Sequence, residues 1–276
     1  MRKIRLFAMV LAILLLTACG ASPAPQGGVA ATTAPVAQFA AAITEGTEVS
    51  VTQVITDAVS CLHDYTLTVR QMETVQRSDL GLLSGAGLEE FMEDVLETAS
   101  VADCSQGVIL RPDDPHIWLD PDNAAAMAEN ICRALSVVYP QHKAVFEQNT
   151  QALTARLQGL KQWATEELAE VSTRSMITFH DGFGYLADAF ALEILAAVEE
   201  ESGSEASAAD LTEIIGLVED YGLKSVFTEV NGSDAAASVI CTETGAKTFI
   251  LDTAMGGSDY FEAMEQNILT LKEALQ

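Results

Sequence analysis

The sequence predicts an α/β protein: two parallel-sheet α/β lobes joined by one long rigid helix, with the ligand cleft between the lobes. Three observations carry that prediction. Short apolar runs alternate with helical periodicity in both halves of the chain, as in parallel sheets flanked by helices. Between the halves lies an unbroken helical pattern over 141–171, where Phe146, Leu153, Leu157, Leu160, Ala164, Leu168 and Val171 recur at spacings of three, four or seven. Residues able to bind ligands fall just after the apolar runs, and the carboxyl ends of parallel strands are where such folds bind them.

The chain opens on Arg2, Lys3 and Arg5, followed by an apolar stretch over 6–16. That stretch falls short of the roughly 20 residues needed to span a bilayer, and suits an export signal covering 1–18. It closes on Leu16-Thr17-Ala18-Cys19, which resembles a bacterial lipobox. Cys19 is then the expected lipidation site and the anchor to the bacterial cell membrane, with an extracytoplasmic protein beyond it. Residues 19–28, rich in Ala, Ser, Pro and Gly, read as a flexible tether.

Only 14 Lys and Arg stand against 40 Asp and Glu, a net charge of −26. Cleavage before Cys19 would remove three of those bases, Arg2, Lys3 and Arg5, and no acid. Nucleic acid, which rewards Lys and Arg, is excluded as a partner. Acidity favours solubility and concentrates cations near the surface. Apart from Cys19 the cysteines are Cys61, Cys104, Cys132 and Cys241. An exported chain can pair them, in any of three ways. Cys61 and Cys104 both fall near expected strand ends, which favours that pair. Cys132, in a helical pattern, and Cys241, in the other half, are expected as buried free thiols.

An N-terminal lobe over 29–140 would hold strands at 29–33, 48–55, 80–84 and 101–109. Pro35 suits the first turn of a helix after the first strand. Helical patterns follow at 67–77, at 88–98 with acids outward, and at 123–138, ended near Pro140. The linking helix, over 141–172, comes next; about 30 residues at 1.5 Å rise make roughly 45 Å, the length of a spine between lobes. The C-terminal lobe over 173–276 repeats the alternation, with strands at 176–179, 192–198, 225–228 and 248–251. Its helices are expected at 182–190, 208–221, 233–244 and 258–275. The acidic, small-residue stretch 201–206 reads as a mobile loop.

The chain has four histidines. His63, His116 and His180 each fall in a loop after a strand-like run, and Asp252 closes the run before it. If the two lobes face each other, these four point into one cleft. Three imidazoles and a carboxylate suit a divalent metal, zinc first and manganese second. Asp64 and Asp181, next to two of the histidines, could accept their second ring N–H. Glu229, at the end of the neighbouring strand, is a further partner or a competing ligand. His142, at the start of the long helix, reads as a solvated surface residue. Four protein ligands close the coordination shell, which favours binding over catalysis. The sequence has no HExxH, GxSxG or Walker loop. A secreted zinc hydrolase with three histidines, an open position and Asp252 or Glu229 as base is a remote alternative, behind a manganese or mixed-metal receptor. A surface adhesion protein on the same scaffold is a third reading, which no residue requires.

Several stretches occur together in order: His63-Asp64-Tyr65, Ser84-Gly85-Ala86-Gly87-Leu88-Glu89, Asp114-Pro115-His116-Ile117-Trp118-Leu119-Asp120-Pro121, Phe179-His180-Asp181-Gly182-Phe183-Gly184-Tyr185, and Thr244-Gly245-Ala246-Lys247 with Leu251-Asp252. Together they resemble the TroA/ZnuA-like (cluster A-I) solute-binding lipoproteins of bacterial zinc and manganese ABC importers, over nearly the whole chain from 29 to 276. The resemblance implies a monomeric, non-enzymatic receptor that captures Zn(2+) between its lobes and passes it to a permease and its ATPase. Its metal ligands map onto His63, His116, His180 and Asp252. Histidine at the third position is similar to the zinc-preferring members, manganese-preferring ones typically having glutamate there. Two departures stand out. Ser60-Cys61-Leu62 lacks the proline often found before the first ligand. The region before the second ligand also lacks the long His-rich loop of many zinc members, so additional weak metal sites are not expected.

Overall fold

The computed structural model describes residues 27–57, 62, 65–199, 206–230 and 235–276. The expected signal sequence and Cys19, with Cys61, His63, Asp64 and most of 201–206, lie outside the described residues. The first sheet is parallel, with strand order β2-β1-β3-β4, built from β1 (Val29–Ala31), β2 (Val51–Gln53), β3 (Leu80–Leu83) and β4 (Val101–Asp103). Helices α1 (Ala34–Thr44), α2 (Val69–Arg77), the short α3 (Glu93–Leu96) and α4 (Pro121–Val138) accompany it. Every residue of β1 and β3 is buried, because both faces of a parallel sheet are covered.

The second sheet repeats that order as β6-β5-β7-β8, with β5 (Ser175–His180), β6 (Glu193–Glu199), β7 (Ser225–Glu229) and β8 (Lys247–Leu251). Its helices are α6 (Gly184–Ala189), α7 (Ala208–Tyr221), α8 (Ala235–Thr244) and α9 (Tyr260–Ala274). Between the sheets runs α5 (Lys143–Glu167), preceded by a 3-10 turn at Pro140–His142. Its buried stripe is Phe146, Thr150, Leu153, Leu157, Leu160 and Ala164, the expected apolar series with Thr150 added. The helix stops at Glu167. Arg174 holds the chain beyond it by donating to the Leu168 and Phe190 carbonyls, and Leu275 O accepts from Ser172 and Thr173.

The long helix packs against α1 and α4 of the first lobe and α9 of the second. One apolar core runs through all of them, from Val29 to Leu275. A second, smaller core lies within the C-terminal lobe around Ile177, Ile214, Val226 and Ile240. Each fully buried Leu, Ile or Phe side chain in these cores contributes about 1.5–3 kcal/mol. The lobes thus share a continuous apolar support, on which the site loops are mounted.

Four local expectations are corrected. The helix expected over 88–98 is a 3-10 turn at Glu90–Met92 followed by the single turn of α3. Glu89 is the cause. Instead of facing outward it is buried, and its carboxylate accepts from the Thr32 hydroxyl at 2.6 Å, Ser84 N–H at 2.7 Å and Gly85 N–H at 3.0 Å. A regular helix from residue 88 would break those bonds. Burial pushes this carboxyl up to about 7, against the pull of its three donors. The strand expected over 101–109 ends at Asp103, whose side chain accepts from Ser105 N–H and Oγ, both at 2.7 Å, and so turns the chain. Cys104 is a buried free thiol and not half of a bridge to Cys61; burial, with Glu89 and Asp103 nearby, pushes the thiol well up. Cys132 is the expected buried free thiol, whereas the free Cys241 is only half-buried. No helix among the described residues is long and apolar enough to cross a membrane.

Candidate metal centre

His180 is the last residue of β5 and is 4 % exposed. Strand pairing fixes it from below, with Thr178 opposite Phe227 of β7 and His180 opposite Glu199 of β6. The chain then turns sharply through Gly182 into α6. A Cβ at Gly182 would lie 2.4 Å from His180 Nε2 and 2.8 Å from His116 Cε1. Only glycine lets the backbone pass that close to two imidazoles.

His116 is not at a strand end. It heads a 3-10 turn, Ile117–Leu119, whose three side chains are wholly buried. Pro121 then starts α4, capped by the Asp120 carboxylate on Asp122 N–H. A rigid apolar turn therefore carries the imidazole. Asp114 Oδ1 meets both His116 N–H and His116 Nδ1, each at 3.0 Å. Burial would raise the Asp114 carboxyl. The hydrogen bond and charge of His116, its backbone N–H and the Arg111 guanidinium outweigh that and hold it below the usual range. A carboxylate at Nδ1 makes that nitrogen the donor and leaves the Nε2 lone pair free to bind. His116 Nε2 faces His180 Nε2 at 3.4 Å, the rings edge-to-face with centroids 5.0 Å apart. Trp118 and Phe183 pack edge-on against the two rings from their own segments.

Asp252 follows β8 and is half-buried. Its Oδ1 accepts from Ala254 N–H at 2.7 Å and its Oδ2 from the Ser258 hydroxyl at 2.9 Å. Its backbone is clamped by Asn267, which accepts from Asp252 N–H at 2.8 Å and donates to the Asp252 carbonyl at 2.7 Å. Trp118 Nε1 donates to the next carbonyl, Thr253 O, at 2.8 Å, tying the His116 turn to the Asp252 loop. Glu229 is buried at the end of β7, opposite Leu251. Asp181 is exposed, its carboxyl raised by partial desolvation and by the charge on Asp114. His142 is not freely solvated: its Nε2 meets Glu48 Oε1 at 3.0 Å, and its ring lies against Phe146. Among the described residues no three His, Cys, Asp or Glu side chains converge as a metal-holding group; His63 lies outside them.

Sequence reasoning missed Asp114 and looked for the carboxylate partner beside the histidines, at Asp64 and Asp181. The signal was the Asp-Pro-His spacing. An aspartate can accept the backbone N–H two residues on, as Asx turns do, and the same oxygen then meets that residue's ring. Arg111 and the bond from Trp118 to Thr253 left no sequence signal, since both depend on the lobes meeting.

Zinc-binding lipoprotein AdcA of Streptococcus pneumoniae is 26% identical over 307 residues, covering 99% of this chain and 61% of the relative. The chain thus spans about three fifths of that relative's length. Among solved structures, the Zn(II)-bound ZnuA-like domain of Streptococcus pneumoniae AdcA is 27% identical with a TM-score of 0.79, covering 91% of this chain and 99% of that one. The laminin binding protein (Lmb) of Streptococcus agalactiae, described as bifunctional with adhesin and metal transporting activity, is 25% identical with a TM-score of 0.83, covering 91% and 100%. The family model for ZnuA, the periplasmic zinc-uptake complex component A, matches residues 29–274, and the chain belongs to that family.

Proposed function

We propose that this chain is the extracytoplasmic zinc receptor of an ABC importer, holding one ion with His63, His116, His180 and Asp252 and delivering it to a permease powered by an ATPase. The observation that carries the reading is the 3.4 Å between the two Nε2 atoms. Two nitrogens at about 2.0–2.1 Å on one tetrahedral zinc stand about 3.3–3.4 Å apart. The two buried imidazoles therefore sit at the separation the ion requires, and Asp114 fixes the protonation of one of them. Imidazole nitrogen favours zinc over manganese. His63 and Asp252 would complete a closed shell, which leaves no position for a reacting water and makes the protein a carrier and not an enzyme. Asp181 and Glu229, with Asp64, are the acids nearest these ligands in sequence or strand order, and would support them from behind. Zinc is cargo here.

In this reading residues 1–18 are removed, Cys19 carries the lipid and 19–28 tether the receptor to the membrane. Lobes over 29–140 and 173–276, joined by the helix of 141–172, act as a monomer outside the cytoplasm. The test is calorimetry on metal-stripped chain beginning after the tether. We expect one tight zinc equivalent that excess manganese does not displace. His180→Ala should weaken it at least about 100-fold, beyond the usual cost of losing a supporting residue, while the metal-free protein keeps its melting temperature. Equal or tighter manganese binding would replace the metal. Unfolding of His180→Ala without metal would mean a structural site, and no tight site for either ion would end the proposal.

A further inference from the structure

Arg111 belongs by sequence to the first lobe, in the tight turn that pairs it with Asp114 just before His116. Its bonds reach the second. Its backbone N–H donates to Tyr185 Oη at 2.7 Å, and its Nη1 pairs with Asp188 Oδ2, both partners lying on α6, the helix that follows His180. The side chain crosses over Gly184, where a Cβ would sit 2.4 Å from Arg111 Nε and 2.7 Å from Asp114 Oδ2. Nε also faces Asp114 Oδ2 at 3.9 Å. That oxygen is buried with no hydrogen-bond partner among the described residues, and its twin holds His116. One guanidinium thus stands between the carboxylate that orients His116 and the helix that leaves His180.

The bonds between the lobes differ in exposure. Trp118 Nε1 to Thr253 O, and Tyr260 Oη to Trp118 O at 2.8 Å, are wholly buried and form a fixed seam. The pair of Arg111 and Asp188 is 43% and 63% exposed, so water already reaches both charges and the pair can part at little cost. We infer that Arg111 is the latch of the cleft, a positioning residue that holds α6 against the His116 turn and sets how fast the bound ion leaves. The inference rests on the receptor reading. A contact that must part before the ion can leave slows release and leaves capture unaltered. Arginine suits the role because its planar fork can serve two carboxylates at once, whereas the compact ammonium of lysine serves one well.

The test is stopped-flow zinc release from the full chain into excess chelator, with capture measured separately. Arg111→Gln and Asp188→Asn should each speed release about threefold to fivefold, the upper part of the range of an exposed ion pair, with capture unchanged. The double variant should release no faster than Arg111→Gln. Arg111→Lys should fall between Arg111→Gln and the unsubstituted chain, and added salt should speed release from the unsubstituted chain alone. Slow release unaltered by either substitution, or fully additive effects, would overturn the latch and leave the receptor standing. Absence of tightly held zinc in the unsubstituted chain would overturn both. Asp188→Asn keeps the Asp114 and Tyr185 contacts of Arg111, so it gives the answer alone if Arg111→Gln fails to fold.

Discussion

The segment around His116 and the loop around Asp252 are tied by the hydrogen bond from Trp118 to Thr253, yet they prepare their side chains in opposite ways. His116 has one ring nitrogen held by Asp114 and the other presented to His180. It has little orientational freedom left to lose when an ion arrives. Asp252 has both oxygens engaged inside its own loop, by Ala254 N–H and the Ser258 hydroxyl. Each oxygen keeps further lone-pair capacity, but an ion there must share it or displace a donor. The histidine pair is built to receive, and the carboxylate is built to be recruited. If that is right, damage to the imidazole pair should be expensive, and damage to the Asp252 loop mild or even favourable.

The severest break is expected at Gly182. A methyl there would overlap both imidazoles, at 2.4 Å from one and 2.8 Å from the other, and both rings are buried, with Trp118 and Phe183 edge-on to them. Overpacking of this kind costs about 1–3 kcal/mol when it can relax. Here relaxation must part the two Nε2 atoms, so Gly182→Ala should weaken zinc about 100-fold by calorimetry. Its metal-free melting temperature should fall by only a few degrees. Retained affinity would mean that the close approach of the two rings is not the binding geometry.

Asp114→Asn is the next test and the more specific one. The amide keeps the shape and, through its oxygen, the bond to His116 N–H. It removes the charge that fixes Nδ1 as donor, and, because one oxygen of Asp114 faces both the backbone N–H and Nδ1, an amide turned the other way would give up the backbone bond, offer an N–H to Nδ1 and so move the ring proton to Nε2. Loss of a partner of this kind typically costs about 10–100-fold in metal affinity, and that loss is the expected result. Affinity within about twofold of the unsubstituted chain would remove Asp114 from the site.

Where sequence was enough, one local signal governed. The helix expected at 208–221 is found there, because Ser207 and Asp210 form a capping box and Gly222, at φ 64, ends it in the left-handed region. The α5 stripe was equally plain, since a buried helix face must repeat at its own period. Glu89 was misread because its surroundings are assembled by the fold: Thr32, Ser84 and Gly85 come together only when β1 and β3 pair. The site divides the same way. His116 and His180 could be picked as candidates from their loops, but their 3.4 Å meeting, the Asp114 brace and the Arg111 bridge are products of the two lobes closing on each other.

The smallest effect should come from Ser258, and its sign separates recruitment from orientation at Asp252. The hydroxyl donates to Oδ2 from an exposed loop position, a bond whose net worth is about 1 kcal/mol. If the ion must displace this donor, Ser258→Ala spares it that cost, and zinc should bind up to about fivefold tighter, a change near 1 kcal/mol. If the hydroxyl instead aims the carboxylate, the same substitution should loosen binding by a similar factor. Because Asn267 clamps the Asp252 backbone on both sides, aim is already supplied from elsewhere. The tightening is therefore the expected result, read by chelator competition against the unsubstituted chain. A loosening would show that the carboxylate is as dependent on its neighbours for orientation as His116 is on Asp114, and the contrast between the two segments would disappear.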